Sequence, residues 1–505
     1  MNAPPLLTTA QVRSLEEQAA RGLAGPTLMQ RAGRAAANAA GSLAADTGAT
    51  ILVIAGPGNN GGDAWVAAAH LRESFHRVTV LDFAGSEPKA PEAREARARF
   101  VSGGGQCVRH WPGDLRPGLV IDGLLGIGLA RDLDGDLAAL VGRINDCGAP
   151  VLAIDIPSGV SSDTGRVHGV AVRATRTLTF LARKVGLYTG DGLDCCGEIA
   201  VDDLGVDAAL LTGLPGSLLT PEGVGESLSP RLRNAHKGSY GTLGIVGGGR
   251  GMTGAALLAA RAGLLTGAGK VYVGLLAPDP PAFDPMHPEL MLRAVDDTLA
   301  ADVLVVGPGA GHSPSATSPS TFERSTLPTI LSLPKPLVID ADALNAIAIH
   351  DAMRDALARN RRAPTLLTPH PAEAARLLRT TTAAVQADRL AAALLLARSF
   401  QAEVVLKGAG SICASPDGSW AVNATGNAGL ASGGTGDVLA GILGALVCQG
   451  LPAREALRYG VCLHGAAADA CVARGLGPTG LTASEVALEA RAVLNQWTVR
   501  YASAR

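Results

Sequence analysis

The sequence predicts two successive α/β domains, each built on a largely parallel sheet with helices on both faces. Three observations carry this. The first is length: 505 residues exceed one ordinary core, and at roughly 100–200 residues per domain two or more are expected. The second is pattern. Short apolar runs alternate with Ala-rich helical stretches, and runs that are apolar throughout mark strands buried on both faces. The third is glycine. The chain holds 64, with no collagen-like period, and many fall in short loops directly after apolar runs, where strand-to-helix turns belong.

The elements follow in order. The chain opens on a helix, with Thr8 placed to cap it and Gln11 at the capping-box position before "VRSLEEQAA". Strands are expected at 51–55, 78–81, 119–122, 151–155 and 177–180. Around 204–234 the composition shifts to Gly, Pro and Ser, as in "LLTGLPGSLLTPEGVGESLSP", which places the boundary near residue 220, between domains 1–215 and 222–505. Strands then resume at 242–246, 271–274, 303–306, 337–340, 365–368 and 404–407. The Ser/Pro-rich stretch 311–327 reads as a mobile surface loop.

Composition excludes several classes. Aromatic residues make up only 3%, so Ala, Val, Leu and Ile must build the cores. A net charge of -2 gives no basic field for nucleic acid or for an anionic membrane. The start "MNAPPLLTTAQV" lacks the charged and apolar regions of a signal peptide. The apolar run "VLAGILGALVC" is about half of a membrane span. Eight cysteines are scattered, with Cys195 and Cys196 adjacent and no CxxC pair. That usage predicts reduced thiols in the cytoplasm and no zinc site.

"ILVIAGPGNNGGDAWVAAAHL" reads as strand, Gly-rich loop, helix. Backbone N–H groups at a helix start, with the helix dipole, favour an anion such as a phosphate. The string is not a Walker A loop, because no GK[ST] follows, and a tight strand-to-helix turn explains it as well. Two further strand ends carry polar groups. "VIDGLLGIGLARDL" brings Asp122, Gly126, Gly128 and Arg131, and "VLAIDIPSGVSSDTG" brings Asp155 and Ser158. Ligands of open α/β sheets bind outside the carboxyl ends of strands. The gathered oxygens could also hold a hard cation.

"TLMQRAG", "GPGNNGGDA", "DGLLGIGLARDL" and "DIPSGVSSDTG" resemble the NAD(P)H-hydrate epimerase family, across roughly residues 9–210. The resemblance implies a Rossmann-like, three-layer αβα fold that interconverts the R and S epimers at C6 of hydrated NADH or NADPH. It implies a potassium ion on Asn60, Asp122 and Ser158. It implies contacts to the hydrated dinucleotide from Asn59, Asn60, Gly61, Gly62 and Asp63, from Gly126, Ile127, Gly128, Leu129, Ala130, Arg131 and Asp132, and from Asp155. Asp155 is the candidate acid/base. The glycines are expected to hold phosphates, and the acceptors a cation and substrate hydroxyls. One departure stands out: the family usually reads GGDG, and Ala64 replaces the last glycine. At a position needing positive φ, alanine would cost on the order of 1 kcal/mol. In a helix it is harmless, and a helical position is expected.

The second half carries "NATGNAGLASGGTGDVLAGILGALV", in which GGTGD leads into an apolar helix expected to start at Val438. Backbone N–H groups of 434–436 would form an anion hole. Asp437 is placed to take a proton from a hydroxyl attacking a phosphoryl group; its alternative role is that of an acid favoured by the helix dipole. With "KGSYGTLGIVGGGRGMTGAALLAARAGLLTGAG", "VVGPGAG", "VIDADALN", "LLTPHPAE" and "VVLKGAGS", the pattern resembles the ribokinase-like superfamily and, more narrowly, the ADP/ATP-dependent NAD(P)H-hydrate dehydratase family, over roughly 225–495.

That resemblance implies phosphorylation of the C6 hydroxyl of the S hydrate, then loss of phosphate. Lys407, Gly408, Ala409, Gly410, Ser411 and Gly436 would hold the adenine nucleotide, ADP with Mg²⁺. Ala255, Gly309, His370 and Asp437 would contact the hydrate, with Asp437 as base. Structural roles compete at several positions: a core histidine at His370, a strand-end lysine at Lys407, an exposed turn at His236 and Lys237. Asp340 and Asp342 either cap a helix or orient Mg²⁺ through water. A homo-oligomer is expected from the fold family. The competing reading is a ribokinase-like kinase for a small vitamin precursor, with a non-catalytic nucleotide-binding module in front.

Overall fold

A computed structural model describes residues 3–22, 25–44, 48–83, 85, 88, 90–311 and 320–502. The chain divides into two compact units, Pro5–Leu214 and Pro215–Arg505, the latter joined by Met1–Pro4. Pro4 accepts a hydrogen bond from the Leu218 N–H at 2.8 Å, which ties the first residues to the second unit.

The first unit is a seven-stranded parallel sheet. Its strands are β1 (Ile51–Ala55), β2 (Val78–Asp82), β3 (Gln106–Val108), β4 (Leu119–Gly123), β5 (Val151–Ile154), β6 (Arg176–Phe180) and β7 (Glu198–Asp202). They lie in the order β3-β2-β1-β4-β5-β6-β7. The first six positions repeat the doubly wound dinucleotide-fold order. Strands β1, β2, β4 and β5 are buried along their whole length, the polar Thr79, Asp82 and Asp122 included. The sequence reading passed over β3 and β7 because both are edge strands with polar, partly exposed residues.

Helices α1 (Thr9–Gly22), α2 (Leu28–Leu43), α3 (Asn59–Glu73), α4 (Pro91–Ser102) and α5 (Gly135–Asp146) belong to this unit. The Thr8 capping box forms: the Thr8 N–H donates to Gln11 Oε1 at 2.8 Å, and the Gln11 N–H to Thr8 Oγ1 at 3.4 Å. Ala64 lies inside α3 and is fully buried, so the alanine departure falls at a helical position. Leu6–Leu7 pairs in parallel with Arg183–Lys184 to make a small separate ladder.

The second unit holds a ten-stranded sheet: β8 (Gly216–Leu219), β9 (Thr242–Gly247), β10 (Lys270–Leu275), β11 (Met291–Arg293), β12 (Val303–Val306), β13 (Leu337–Ile339), β14 (Thr365–Leu367), β15 (Glu403–Leu406), β16 (Ile412–Ala414) and β17 (Trp420–Asn423). The order is β8-β17-β16-β15-β14-β13-β12-β9-β10-β11. All neighbours are parallel except β15/β16 and β16/β17, so 403–423 is an antiparallel meander. The sequence reading has no strand after 404–407; β16 and β17, three and four residues long, are too short to announce themselves.

Helices α6 (Thr253–Leu265), α7 (Ala341–Ile349), α8 (Pro371–Leu378), α9 (Arg389–Phe400), α10 (Thr435–Cys448), α11 (Ala453–Ala473) and α12 (Ala483–Ala502) complete the site-bearing frame. With few aromatics, small residues make the core by letting backbones touch. A Cβ on Gly441 of α10 would lie 2.0 Å from the Ala259 carbonyl oxygen of α6, so only glycine permits that packing.

Three expectations need correction here. Helix α10 begins at Thr435, not Val438, which puts Gly436 and Asp437 in its first turn. The stretch 311–327 is not loop throughout. Residues 312–319 lie outside the described residues, but Phe322–Thr326 and Leu327–Ser332 are helical, with Phe322, Leu327 and Ile330 buried. Strand β5 ends at Ile154, leaving Asp155 just beyond it. Among the described residues, every cysteine is free and no helix is long and apolar enough to cross a membrane.

Candidate active sites

In the first unit a cavity of ≈ 990 Å³ opens where β1, β4, β5 and β6 end. Asn59, Asn60 and Asp63 of α3 line it, with Gly126–Arg131 after β4 and Asp155 after β5. Gly61 and Gly62 stand away from its wall. A Cβ on Gly61 would lie 1.9 Å from the Gly56 carbonyl oxygen, and one on Gly62 2.5 Å from Met29 Cε. A Cβ on Gly56 itself would lie 1.7 Å from the Leu124 oxygen. Gly56 and Gly61 therefore let the end of β1, the start of α3 and the loop after β4 pack backbone to backbone, and Gly62 lets α3 meet Met29 of α2 and Ala93 of α4, a packing role that the sequence reading did not assign them. Asp132 also lies outside the lining and pairs with His168 at 3.2 Å.

Asp122 and Ser158 form a buried polar knot behind the cavity. Ser158 Oγ donates to Asp122 Oδ1 at 2.7 Å, and the Ser158 N–H to Oδ2 at 2.8 Å. Asn60 Nδ2 donates to the Leu125 carbonyl at 2.8 Å, while Asn60 Oδ1 is buried with no hydrogen-bond partner. Burial pushes the Asp122 carboxyl up, against the pull of the two Ser158 hydrogen bonds. Asn60 and Ser158 both donate to the Leu125 carbonyl, which links the orphaned amide oxygen to the desolvated carboxylate, and such oxygens are what a hard monovalent cation would satisfy. The three expected ligands fit such an ion.

Asp155 has φ 65, and the Ile156 N–H donates to the Ile154 carbonyl at 2.8 Å. This is a γ-turn of the strained, left-handed kind. The turn presents the carboxyl to the cavity. Lys184, fully buried, makes an ion pair with Asp155 Oδ1 and donates to Thr179 Oγ1 and the Phe180 carbonyl, each at 2.8 Å. Glu16 of α1 faces the same space. Burial, then the Asp155 and Glu16 charges, hold the Asp63 carboxyl well above its ordinary range. Burial first, and then Asp155, push Glu16 up as well. Sequence reasoning missed Glu16 and Lys184; a lysine inside the apolar string "FLARKVGLY" was the available signal.

In the second unit the site forms around Lys407, at the end of β15. Its ammonium lies 2.9 Å from Asp340 Oδ1, which also accepts from Thr368 Oγ1 at 2.7 Å. Asp340 occupies the α7 N-cap position but makes no side-chain cap, so the capping alternative drops away. A Cβ on Gly436 would lie 3.3 Å from Lys407 Nζ, so the lysine reaches the first turn of α10. Gly434, with φ 89, supplies the left-handed turn that starts this helix. Burial, then the Asp340 charge, push the Asp437 carboxyl up to about 7, with Lys407 opposing. Burial likewise pushes Glu373 up to about 7.

His370 caps α8: its Nδ1 accepts from the Ala372 N–H at 3.1 Å, and its side chain is 47% exposed, so it is no core histidine. Burial and the Lys407 charge pull its pKa down. Ala255 and Gly309 meet: a Cβ on Gly309 would lie 3.0 Å from Ala255 Cβ. Asp342 accepts from the Gly311 N–H at 2.8 Å. Residues Lys407–Ser411 form the turn between β15 and β16. Arg389, 3% exposed, braces it by donating to the Lys407 carbonyl at 3.3 Å. Arg389 was not foreseen; nothing in "ADRLAAALLLA" marks it. Lys237–Tyr240 is an exposed 3₁₀ turn. Among the described residues no three His, Cys, Asp or Glu side chains could jointly hold a metal.

Both halves match known families. Residues 25–186 match the family described as YjeF-related protein N-terminus, and 243–487 the family described as NAD(P)H-hydrate dehydratase. A Coxiella burnetii protein, the bifunctional NAD(P)H-hydrate repair enzyme Nnr, is 37% identical across 97% of this chain and 99% of its own length. The Escherichia coli protein of the same name is 37% identical over 93% of this chain and 89% of its own. A solved Bacillus subtilis ADP/ATP-dependent NAD(P)H-hydrate dehydratase, co-crystallised with ATP and Mg²⁺, is 28% identical, with a TM-score of 0.48, over 57% of this chain and 99% of its own. With two sites, two family matches and relatives alike from end to end, the chain belongs to the family of bifunctional NAD(P)H-hydrate repair enzymes.

Proposed function

We propose that this protein restores NADH and NADPH from their hydrates, with epimerisation at C6 in the unit Pro5–Leu214 and dehydration of the S epimer in the unit Pro215–Arg505. The observation that carries this is the pair of separate carboxylate–lysine centres, Asp155 with Lys184 and Asp437 beside Lys407.

For epimerisation, the C6 hydroxyl leaves with an added proton as water, and the N1 lone pair forms a C=N bond. Water then adds to the opposite face and gives up a proton. Asp155 accepts or returns that proton. Asn59, Asp63 and 126–131 contact the dinucleotide from the cavity wall. Asn60, Asp122 and Ser158 would hold potassium, which when bound supplies a positive charge beside an anionic ligand.

For dehydration, Asp437 removes the C6 hydroxyl proton as that oxygen attacks the terminal phosphorus of ADP and AMP leaves. The C6–O bond then breaks, phosphate departs with the electron pair, and loss of a C5 proton restores the dihydronicotinamide. A base that titrates near 7 is matched to this task. Lys407 and the 408–411 turn hold the nucleotide phosphates, with Gly436 at the α10 N-terminus. Mg²⁺ would be held chiefly by those phosphates and would supply positive charge against them. Ala255, Gly309 and His370 contact the hydrate. The protein works in the cytoplasm as a homo-oligomer.

The test is to supply both epimers of NADH hydrate with ADP and follow the return of dihydronicotinamide absorbance. Full recovery is expected. Recovery that stops at the S fraction removes the epimerase, and no recovery with ADP or ATP removes the repair reading altogether.

A further inference from the structure

Two adjacent strands of the first unit end in the same unusual way. After β5, Asp155 takes φ 65 and the Ile156 N–H bonds back to the Ile154 carbonyl at 2.8 Å. After β6, Leu181 takes φ 65 and the Ala182 N–H bonds back to the Phe180 carbonyl at 2.8 Å. Each is a strained γ-turn on a residue with a side chain, and both Asp155 and Leu181 line the cavity. Such conformations persist only where the surroundings over-determine them.

Lys184 is the group that ties the two turns together. Its ammonium touches the Asp155 carboxylate of one and the Phe180 carbonyl of the other, and Thr179 Oγ1 takes the third hydrogen bond. An ammonium has three protons, and all three are used. The side chain is buried, so its charge is wholly committed to this corner. The backbone is fixed too, because Arg183–Lys184 pairs with the buried Leu6–Leu7.

Lys184 also breaks the symmetry among three carboxyl groups. Asp155, Asp63 of α3 and Glu16 of α1 share the cavity, with Arg13 of α1 and Arg131 of the β4 loop at its lining. Only Asp155 makes an ion pair with the lysine among the described residues. Burial and mutual repulsion favour the neutral form of Asp63 and Glu16.

The geometry points to Lys184 as the positioning residue of the epimerase: it aims Asp155 at the substrate and selects it, over Asp63 and Glu16, as the carboxylate that exchanges protons at C6. It lies at the cavity wall with all three protons committed to the protein, so it acts on the substrate through Asp155. This rests on the epimerase assignment of the first unit.

The experiment compares full-length wild type, Lys184→Met, Lys184→Arg and Asp155→Asn. Epimerisation of R-NADPH hydrate is followed across pH 5 to 9, with dehydration of the pure S hydrate measured on the same samples. In Lys184→Met, epimerisation kcat is expected to fall at least ~100-fold while KM changes less than ~3-fold. The pH profile of epimerisation is expected to differ from that of wild type, since a buried positive charge has left the cavity wall. Lys184→Arg, which keeps that charge, recovers part of the rate. Dehydration is unchanged in all.

An unchanged epimerisation kcat in Lys184→Met overturns the proposal, as does a loss of kcat/KM carried by KM. If Lys184→Met does not fold, Lys184→Arg decides: an epimerisation rate above that of Asp155→Asn upholds the positioning role, and a rate no higher overturns it. A wild type that never epimerises sinks the underlying assignment instead.

Discussion

Each unit is centred on one lysine paired with one aspartate, yet the two lysines are placed differently. Lys184 is 1% exposed at its side chain and spends all three protons on the protein. The Lys407 side chain is 19% exposed and, among the described residues, donates one hydrogen bond, to Asp340. A saturated, enclosed ammonium has nothing left for a ligand; it fixes other groups. A lysine with unused protons at a helix N-terminus is suited to arriving phosphate. The same residue type thus serves positioning in one unit and binding in the other, and hydrogen-bond saturation tells them apart.

The largest test of this contrast is Asp437→Asn. If Lys407 binds while Asp437 takes the proton, dehydration should fall about 10²–10⁴-fold, while ADP affinity measured by calorimetry stays within a fewfold of wild type. Survival of turnover would remove Asp437 as base. Its counterpart, Asp155→Asn, should cost epimerisation a similar factor and leave dehydration of the S hydrate intact. Loss of both activities would mean a folding defect in place of a missing base.

The next test is pH. A base must be ionised, and burial with Asp340 nearby raises the Asp437 pKa to about 7. Dehydration kcat/KM should therefore be full above that pH and drop tenfold per unit well below it. Asp340→Asn removes a like charge and frees Lys407 to face Asp437, so the limb should move to lower pH. A limb that stays fixed in this variant would dissociate Asp340 from the titration.

Smaller effects sharpen the first unit. Asn60→Ala deletes the orphaned oxygen and should lower epimerisation roughly 10- to 100-fold, with loss of any response to potassium over sodium. An unaltered potassium response would exclude Asn60 as a ligand. The smallest is Ala64→Gly. Because Ala64 sits inside α3 with its methyl buried, restoring the family's glycine should destabilise the unit by about 1 kcal/mol, read as a lowered denaturation midpoint. A stabilised variant would contradict the helical explanation.

The glycines of "GPGNNGGDAW" show how far a sequence pattern reaches. Their run marked the right turn, between β1 and α3, but suggested a phosphate loop. In the fold, Gly56 and Gly61 are small because backbone meets backbone, and the polar residues between and after them face the cavity. A requirement for glycine reads alike in sequence whether the close neighbour is a ligand or another strand.

What the sequence by itself determined was local and periodic. Continuous apolar runs located the central strands of both sheets, Thr8 and Gln11 located the first cap, aspartates at strand ends pointed to the first unit's cavity, and GGTGD pointed to the start of α10. These follow from propensity, periodicity and the rule that ligands meet the carboxyl ends of parallel strands. Only the tertiary structure decided which charges are enclosed and with whom. Lys184 meets Asp155 across 29 residues, Lys407 meets Asp340 across 67, and Arg389 meets the turn after Lys407 across 18 or more. The energy of a charge depends on the water removed from it and on the opposite charge brought to it. Neither quantity exists until distant segments have packed.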